Sequence, residues 1–94
     1  MAKKFDDNTM IKRMQGIVYK EVEGVFYILN YQTVTLHTLN ETASFVWKEL
    51  AKPKTIKQLT ETIVDNFSTT KTQAKQDLEK FIIKYKKLGF LELI

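Results

Sequence analysis

The stretch LHTLNETASFVWKEL, residues 36–50, changes its periodicity within two residues. Up to Leu39 apolar and polar residues alternate, which is typical of a β-strand with two different faces. Asn40 can then accept a hydrogen bond from a free amide of a first helical turn, and Glu41 suits the positive end of a helix. Beyond it, one apolar face recurs at helical spacing: Ala43, Val46, Trp47 and Leu50. The stretch therefore predicts a strand that ends at Leu39 and a helix that begins at Glu41, with no linker.

Two further strands are predicted upstream of this junction. GIVYKEV (16–22) and VFYILN (25–30) are rich in β-branched and aromatic residues and flank a turn signal, and TVTLHTL (33–39) alternates again. Together they predict a three-stranded antiparallel meander. In the third strand, the pattern assigns Val34 and Leu36 to the apolar face and Thr33, Thr35 and His37 to the polar face.

Two more helices are predicted downstream. Thr55 and Gln58 form a capping-box pattern before an amphipathic segment, and Thr70 and Gln73 repeat it. The third helix carries an apolar stripe and ends before Gly89; its members are Ala74, Leu78, Phe81, Tyr85 and Leu88. The apolar tail, residues 90–94, is expected to pack on the core as an extended segment.

The predicted fold is an α+β domain of the winged helix-turn-helix type, with a three-stranded antiparallel sheet followed by three α-helices. Ninety-four residues suffice for one small core. We expect a flexible N-terminal arm at residues 1–10, which are polar and lack periodicity, and a single domain at residues 11–94.

Composition argues against several kinds of chemistry. The chain has no cysteine and a single histidine, His37, so neither a thiolate nor a histidine cluster can form a metal site. Its three glycines are isolated and form no phosphate-binding loop. We therefore expect no catalytic residues, no metal and no cofactor. The sequence also lacks an apolar run of about 18 residues that could span a membrane, and a cytoplasmic location is expected.

Two surfaces are candidates for binding a peptide. The third strand contains no proline, and if it lies at a sheet edge an extended peptide could pair with it. The third helix has Ile82 on one flank among lysines whose aliphatic stems can line a groove, namely Lys71, Lys75 and Lys86. The other flank carries Gln73, Asp77, Lys80 and Lys84 and is less apolar. The sequence leaves open which flank faces the groove.

The residues around the junction also resemble those of a known family. Leu39-Asn40, Thr42-Ala43, Val46-Trp47 and Leu50 resemble the LN-x-T-A-x-x-[IV]-W-x-x-L signature of the PqqD-like family, and the resemblance covers about residues 16–94. Lys52-Pro53-Lys54 departs from it, because such proteins commonly have a glycine-containing turn there.

This resemblance implies a non-catalytic recognition element for ribosomally synthesised, post-translationally modified peptides. The leader segment of a precursor peptide would add to the third strand, lie against the third helix and be presented to a modifying enzyme. That enzyme would be a radical S-adenosylmethionine protein, or a leader protease together with a cyclase. On this chain the expected peptide-binding residues are Val34, Thr35, Leu36, His37, Lys71, Lys75, Leu78, Ile82 and Lys86.

Two other functions compete with this interpretation. The formal net charge of +4 and the lysines of the third helix are compatible with a winged-helix protein that binds nucleic acid. Fourteen of the fifteen basic residues are lysine, however, and lysine lacks the planar fork with which arginine reads bases, so sequence-specific binding is disfavoured. The third possibility is a homodimer that pairs its own third strands.

Overall fold

The computed structural model describes residues 5–94. Its strands are β1 (Met10–Arg13), β2 (Val18–Val22), β3 (Val25–Asn30), β4 (Thr35–Thr38), β5 (Lys54–Thr55) and β6 (Leu91–Leu93). Its helices are α1 (Glu41–Glu49), α2 (Ile56–Asn66) and α3 (Lys71–Lys87). The strands form two antiparallel sheets with the orders β2-β3-β4 and β5-β1-β6. None of the helices described is long and apolar enough to cross a bilayer.

The predicted meander and three helices are confirmed, and the strand-to-helix junction has a specific structural cause. The Asn40 side chain accepts a hydrogen bond from the Ala43 amide at 2.8 Å, so α1 begins at Glu41 as expected. The buried Ser44 hydroxyl donates to the Leu39 carbonyl and accepts from the Phe26 amide, both at 3.1 Å. This hydroxyl therefore fixes the end of β4 and the first turn of α1 to β3.

The other two helices begin where the sequence predicts, and α3 also ends as predicted. Thr55 and Gln58 make both reciprocal bonds of a capping box, and the Thr70 hydroxyl accepts from the Gln73 amide at 3.1 Å. Gly89 has a φ of +84°, a left-handed conformation that glycine adopts without steric cost. The chain can therefore leave α3 at this residue and turn back toward β1.

The second sheet was not predicted as a sheet. The tail does pack as an extended segment, and the structure shows that β6 pairs with β1, with Leu93 opposite Ile11. Met10, which the sequence assigned to the arm, is the first residue of β1 and pairs with Thr55 of β5. Upstream of it, the Asp7 and Thr9 carbonyls accept from the first two amides of α2, at 3.0 Å each. Residues 1–4 of the predicted arm lie outside the described residues, and the flexibility of residues 1–10 stays a prediction.

The core lies between the sheets and the helices around Trp47, which is fully buried. The only arginine, Arg13, packs against it: the guanidinium carbon lies 4.6 Å from the centroid of the Trp47 ring and 4.8 Å from that of Tyr19. Its Nε and Nη2 donate to the Trp47 carbonyl, the former at 3.1 Å, and its Nη1 donates to the Tyr19 hydroxyl at 2.8 Å. Arg13 thus connects β1 of one sheet to β2 of the other and to the last turn of α1.

Candidate functional site

Strand β4 lies at the edge of its sheet, and no other strand of residues 5–94 pairs with its outer side. The Leu39 amide donates to the Phe26 carbonyl at 2.9 Å, and His37 lies opposite Ile28 in the same register. Backbone groups alternate in direction along an antiparallel strand, so the amide and carbonyl of His37 also point toward β3. The amides and carbonyls of Leu36 and Thr38 therefore point outward, away from β3. This edge offers two donors and two acceptors to an added strand.

The two edges of this sheet differ in charge. Residues 33–39, which include β4, contain no lysine, arginine, aspartate or glutamate and no proline. The opposite edge, β2, carries Lys20 and Glu21, and Glu23 lies in the tight turn that follows it. Charged residues are the usual protection of an exposed strand edge against pairing with another chain. Only the β2 edge has that protection.

The faces of β4 are the reverse of the predicted ones. His37 lies opposite the fully buried Ile28 and is itself half-buried, whereas Leu36 is 60% exposed on the outer face. The start of the strand also differs from the predicted one. Val34 has a φ of +51° and lies in the β3–β4 loop, so the strand begins only at Thr35. Val34, which is 82% exposed, is therefore not part of the strand as predicted.

Aromatic rings connect β4 to α3. The His37 ring meets that of Phe90 edge to face at 5.5 Å between centroids, and Phe90 stacks on Tyr85 at 6.1 Å. Tyr85 in turn lies 4.8 Å from Phe81, one turn earlier in α3. Burial raises the pKa of the Tyr85 hydroxyl, because the apolar surroundings disfavour the charged phenolate. The sequence stripe contained Phe81 and Tyr85, but nothing in it indicated that Phe90 links them to His37.

A cavity of about 370 Å³ opens between the start of α1 and the middle of α3. Its apolar lining comes from both helices and from α2, namely Ala43, Val46, Ile63, Leu78, Phe81 and Tyr85. The polar lining includes Asn40, two residues beyond the end of β4, and the α3 residues Asp77, Lys80 and Lys84. The Lys84 ammonium lies 5.3 Å from the centroid of the Tyr85 ring. The cavity is therefore apolar at its base and carries two lysines and one aspartate.

The flank of α3 that faces this cavity is the one the sequence described as less apolar. Of the predicted helix residues, only Leu78 lines the cavity. Ile82 is 0% exposed and belongs to the core, so it does not line a surface groove. It is buried because the α3 surface that packs on the sheets is wider than the predicted stripe. The exposed Lys86 lies in the last turn of α3 and does not line the cavity.

Lys71 and Lys75 lie elsewhere on α3, at a smaller recess of about 200 Å³. The Lys75 ammonium donates to Asp7 Oδ1 at 2.9 Å. This hydrogen bond and the attraction between the charges lower the pKa of the Asp7 carboxyl, and the same bond raises the pKa of Lys75. Lys75 is therefore engaged with the N-terminal segment.

Among residues 5–94 no group of three histidine, cysteine, aspartate or glutamate side chains is placed to hold a metal ion. The site consists instead of two parts: the open edge of β4 and the cavity beside α3, connected by Phe90 and Asn40.

Two sheets of short strands, three capped helices and an uncharged strand edge at β4 define a small α+β domain. The sequence profile of the PqqD family, described as coenzyme PQQ synthesis protein D, matches residues 26–91. This chain belongs to the PqqD family.

Two solved structures share the fold. One is TbiB1 in complex with the TbiA(beta) leader peptide, with 22% identity and a TM-score of 0.79 over 86% of this chain and 94% of that one. The other is lasso peptide synthetase B1 complexed with the leader peptide, with 15% identity and a TM-score of 0.76 over 87% of this chain and 96% of that one. No curated protein sequence matches the chain.

Proposed function

We propose that this protein binds the leader segment of a ribosomally synthesised precursor peptide as an added strand on β4. The observation that carries the proposal is the uncharged outer edge of β4, with the backbone groups of Leu36 and Thr38 unpaired within residues 5–94. Membership of the PqqD family and the leader-peptide complexes of the two similar structures support it.

The added strand receives backbone and side-chain contacts from different parts of the site. Backbone pairing with Leu36 and Thr38 supplies affinity that does not depend on sequence. Alternate side chains of the bound peptide then point to the face of His37, toward Phe90 and the cavity. Lys80 and Lys84 at the cavity favour an acidic residue in the peptide, and the apolar base favours an aliphatic or aromatic one.

In this proposal the domain performs no chemistry and presents the bound leader to a modifying enzyme in the cytoplasm. The enzyme is a radical S-adenosylmethionine protein, or a leader protease together with a cyclase. Nucleic-acid binding would depend on Lys71 and Lys75, and the pairing of Lys75 with Asp7 reduces the positive charge of that surface. It would also weaken steeply with salt, because neutralised phosphates release counterions.

The first test removes one outward amide from β4. Leu36→Pro deletes a donor of the edge and spares the bonds between β3 and β4, since proline is tolerated at edge strands. Glu21→Pro is the matched control. In the pairing of β2 with β3, the Glu21 amide points away from β3, on the outer side of the opposite edge.

The measurement is calorimetric titration with synthetic leader peptides of candidate precursors, and the comparison uses the leader that binds the wild type. Losing one backbone bond and leaving a peptide carbonyl unpaired costs about 1–3 kcal/mol, or about 5- to 150-fold in Kd. Leu36→Pro is expected to show this loss, and Glu21→Pro to bind as the wild type. A folded Leu36→Pro variant with wild-type affinity would refute strand addition on β4.

A second test decides which flank of α3 contacts the peptide. Lys84→Glu reverses a charge at the cavity, and Lys71→Glu reverses one at the other flank. Both lysines are exposed, so neither change disturbs the core. We expect Lys84→Glu to weaken leader binding more than Lys71→Glu. The opposite order would place the peptide on the flank that carries Lys71 and Lys75.

A further inference from the structure

We infer that in the absence of a leader the protein pairs with a second copy of itself through β4, and that leader binding competes with this pairing. The inference rests on the proposed function, because both partners use the same edge. It is carried by a geometric property of β4: its outward groups complement those of an identical strand related by a two-fold axis.

The register of the pair follows from which residues point outward. With the two-fold axis at His37, Leu36 of one copy lies opposite Thr38 of the other. Each of these residues presents an amide and a carbonyl, so the two copies form four backbone hydrogen bonds. With the two-fold axis at Leu36 instead, Thr38 of one copy would lie opposite Val34 of the other. Val34 is not extended, so only the two bonds between the Leu36 residues could form. The His37-centred register is therefore the favoured one.

The composition of the strand permits this pairing. β4 lacks the charges that protect β2, as described above, so nothing in the strand opposes a copy of itself. Three apolar side chains in the strand and the loop before it are exposed as well: Leu36 in β4, and Tyr31 and Val34 in the loop. Pairing would remove part of their surface from water, which favours association.

The same structure limits the strength of the pair. β4 has four residues, so the interface falls below the area that supports a stable dimer, and we expect a dissociation constant of about 0.1–1 mM. Each copy has a formal net charge of +4, and the two copies repel each other. Salt screens this repulsion and strengthens the dimer, whereas it weakens the attraction of the lysines for an acidic leader.

The first experiment maps the pair by disulfide formation, which is unambiguous because the chain contains no cysteine. Single variants Thr35→Cys, Leu36→Cys, His37→Cys and Thr38→Cys are oxidised side by side, with Glu21→Cys on the β2 edge as the control. At the axis the two Cβ atoms lie about 4.5–5.5 Å apart, close to disulfide geometry. We expect His37→Cys to crosslink several-fold faster than the others. A rate for His37→Cys no higher than that for Glu21→Cys overturns the inference.

The second experiment measures mass by sedimentation equilibrium up to about 1 mM, the weak end of the affinity range. We expect a monomer–dimer equilibrium in the wild type and in Glu21→Pro, and a monomer in Leu36→Pro. A wild type that stays monomeric, or a Leu36→Pro variant that still dimerises, overturns the inference.

Adding the synthetic leader separates this inference from the proposed function. If the leader binds the dilute wild-type monomer and lowers the mass of the concentrated wild type to that of the leader-bound monomer, both stand. If it binds the monomer and the concentrated wild type stays dimeric, competition is wrong and leader binding stands. If the wild type dimerises and the leader does not bind its monomer, the proposed function is wrong, and with it the competition.

Discussion

Replacing Arg13 by methionine tests whether the sole arginine holds the two sheets together. The change keeps an unbranched apolar stem and removes the guanidinium, which makes three hydrogen bonds and lies over two aromatic rings. Arg13 is half-buried, so we take low values, near 0.5–1 kcal/mol for each bond and about 0.5 kcal/mol for each ring. The Trp47 carbonyl keeps a bond from the Leu50 amide and is not left unpaired. The expected loss in the free energy of unfolding is about 2.5–4 kcal/mol.

Urea denaturation followed by Trp47 fluorescence measures this loss, and Lys12→Met is the matched control. Lys12 is the neighbour of Arg13 in β1, and its ammonium lies 3.2 Å from Glu92 with both side chains more than a third exposed. Such a surface pair contributes about 0–1 kcal/mol. Both variants lose one positive charge, so their difference isolates the guanidinium contacts. Equal stability of the two variants would refute the role assigned to Arg13.

Three further predictions concern packing, backbone strain and pH. Ile82→Ala is expected to lower the free energy of unfolding by about 2–5 kcal/mol because the side chain is in the core, whereas Ile83→Ala, 59% exposed on the same helix, changes it by less than about 0.5 kcal/mol. Equal losses would contradict the core position of Ile82. Val34→Asn should stabilise by about 1 kcal/mol in thermal denaturation, because asparagine tolerates a positive φ and valine does not; a lower melting temperature would argue against strain there. The Asp7 carboxyl should titrate by NMR below its usual range, so its pairing with Lys75 stabilises the fold above that range and is lost as the pH falls through the lowered pKa. Lys75→Ala should raise the Asp7 pKa toward its usual value, and an unchanged pKa would exclude the pair.

The helix boundaries follow from local chemistry, and the sequence therefore predicted them well. Asn40, Thr55 and Thr70 cap their helices through side-chain bonds to amides three residues away, and Gly89 supplies the left-handed turn after α3. Such interactions involve neighbours along the chain, so their spacing is readable before any folding is known. Family membership was predictable for a related reason, because the signature that carries it lies within one continuous stretch, residues 39–50.

The second sheet was not readable in the same way. β5 has two residues and β6 three, which is too short for alternation to identify a strand. Their pairing with β1 joins segments about 40 and 80 residues apart in sequence, and only the assembled fold brings them together. The faces of β4 were reversed because the pattern assigned the apolar Leu36 to the buried side, whereas pairing with β3 puts His37 beside Ile28 and leaves Leu36 exposed.

The sequence by itself determined the order of the meander strands and the three helices, the caps of the helices and the absence of cysteine chemistry, because these depend on residue type and short spacing. Only the tertiary structure decided which strand edge stays open and which flank of α3 lines the cavity. Ile82 and Lys84 show the reason: both lie beside the apolar stripe of the same helix, yet one is in the core and the other lines the cavity. The difference comes from what packs against each flank, and a helical pattern contains no record of its neighbours.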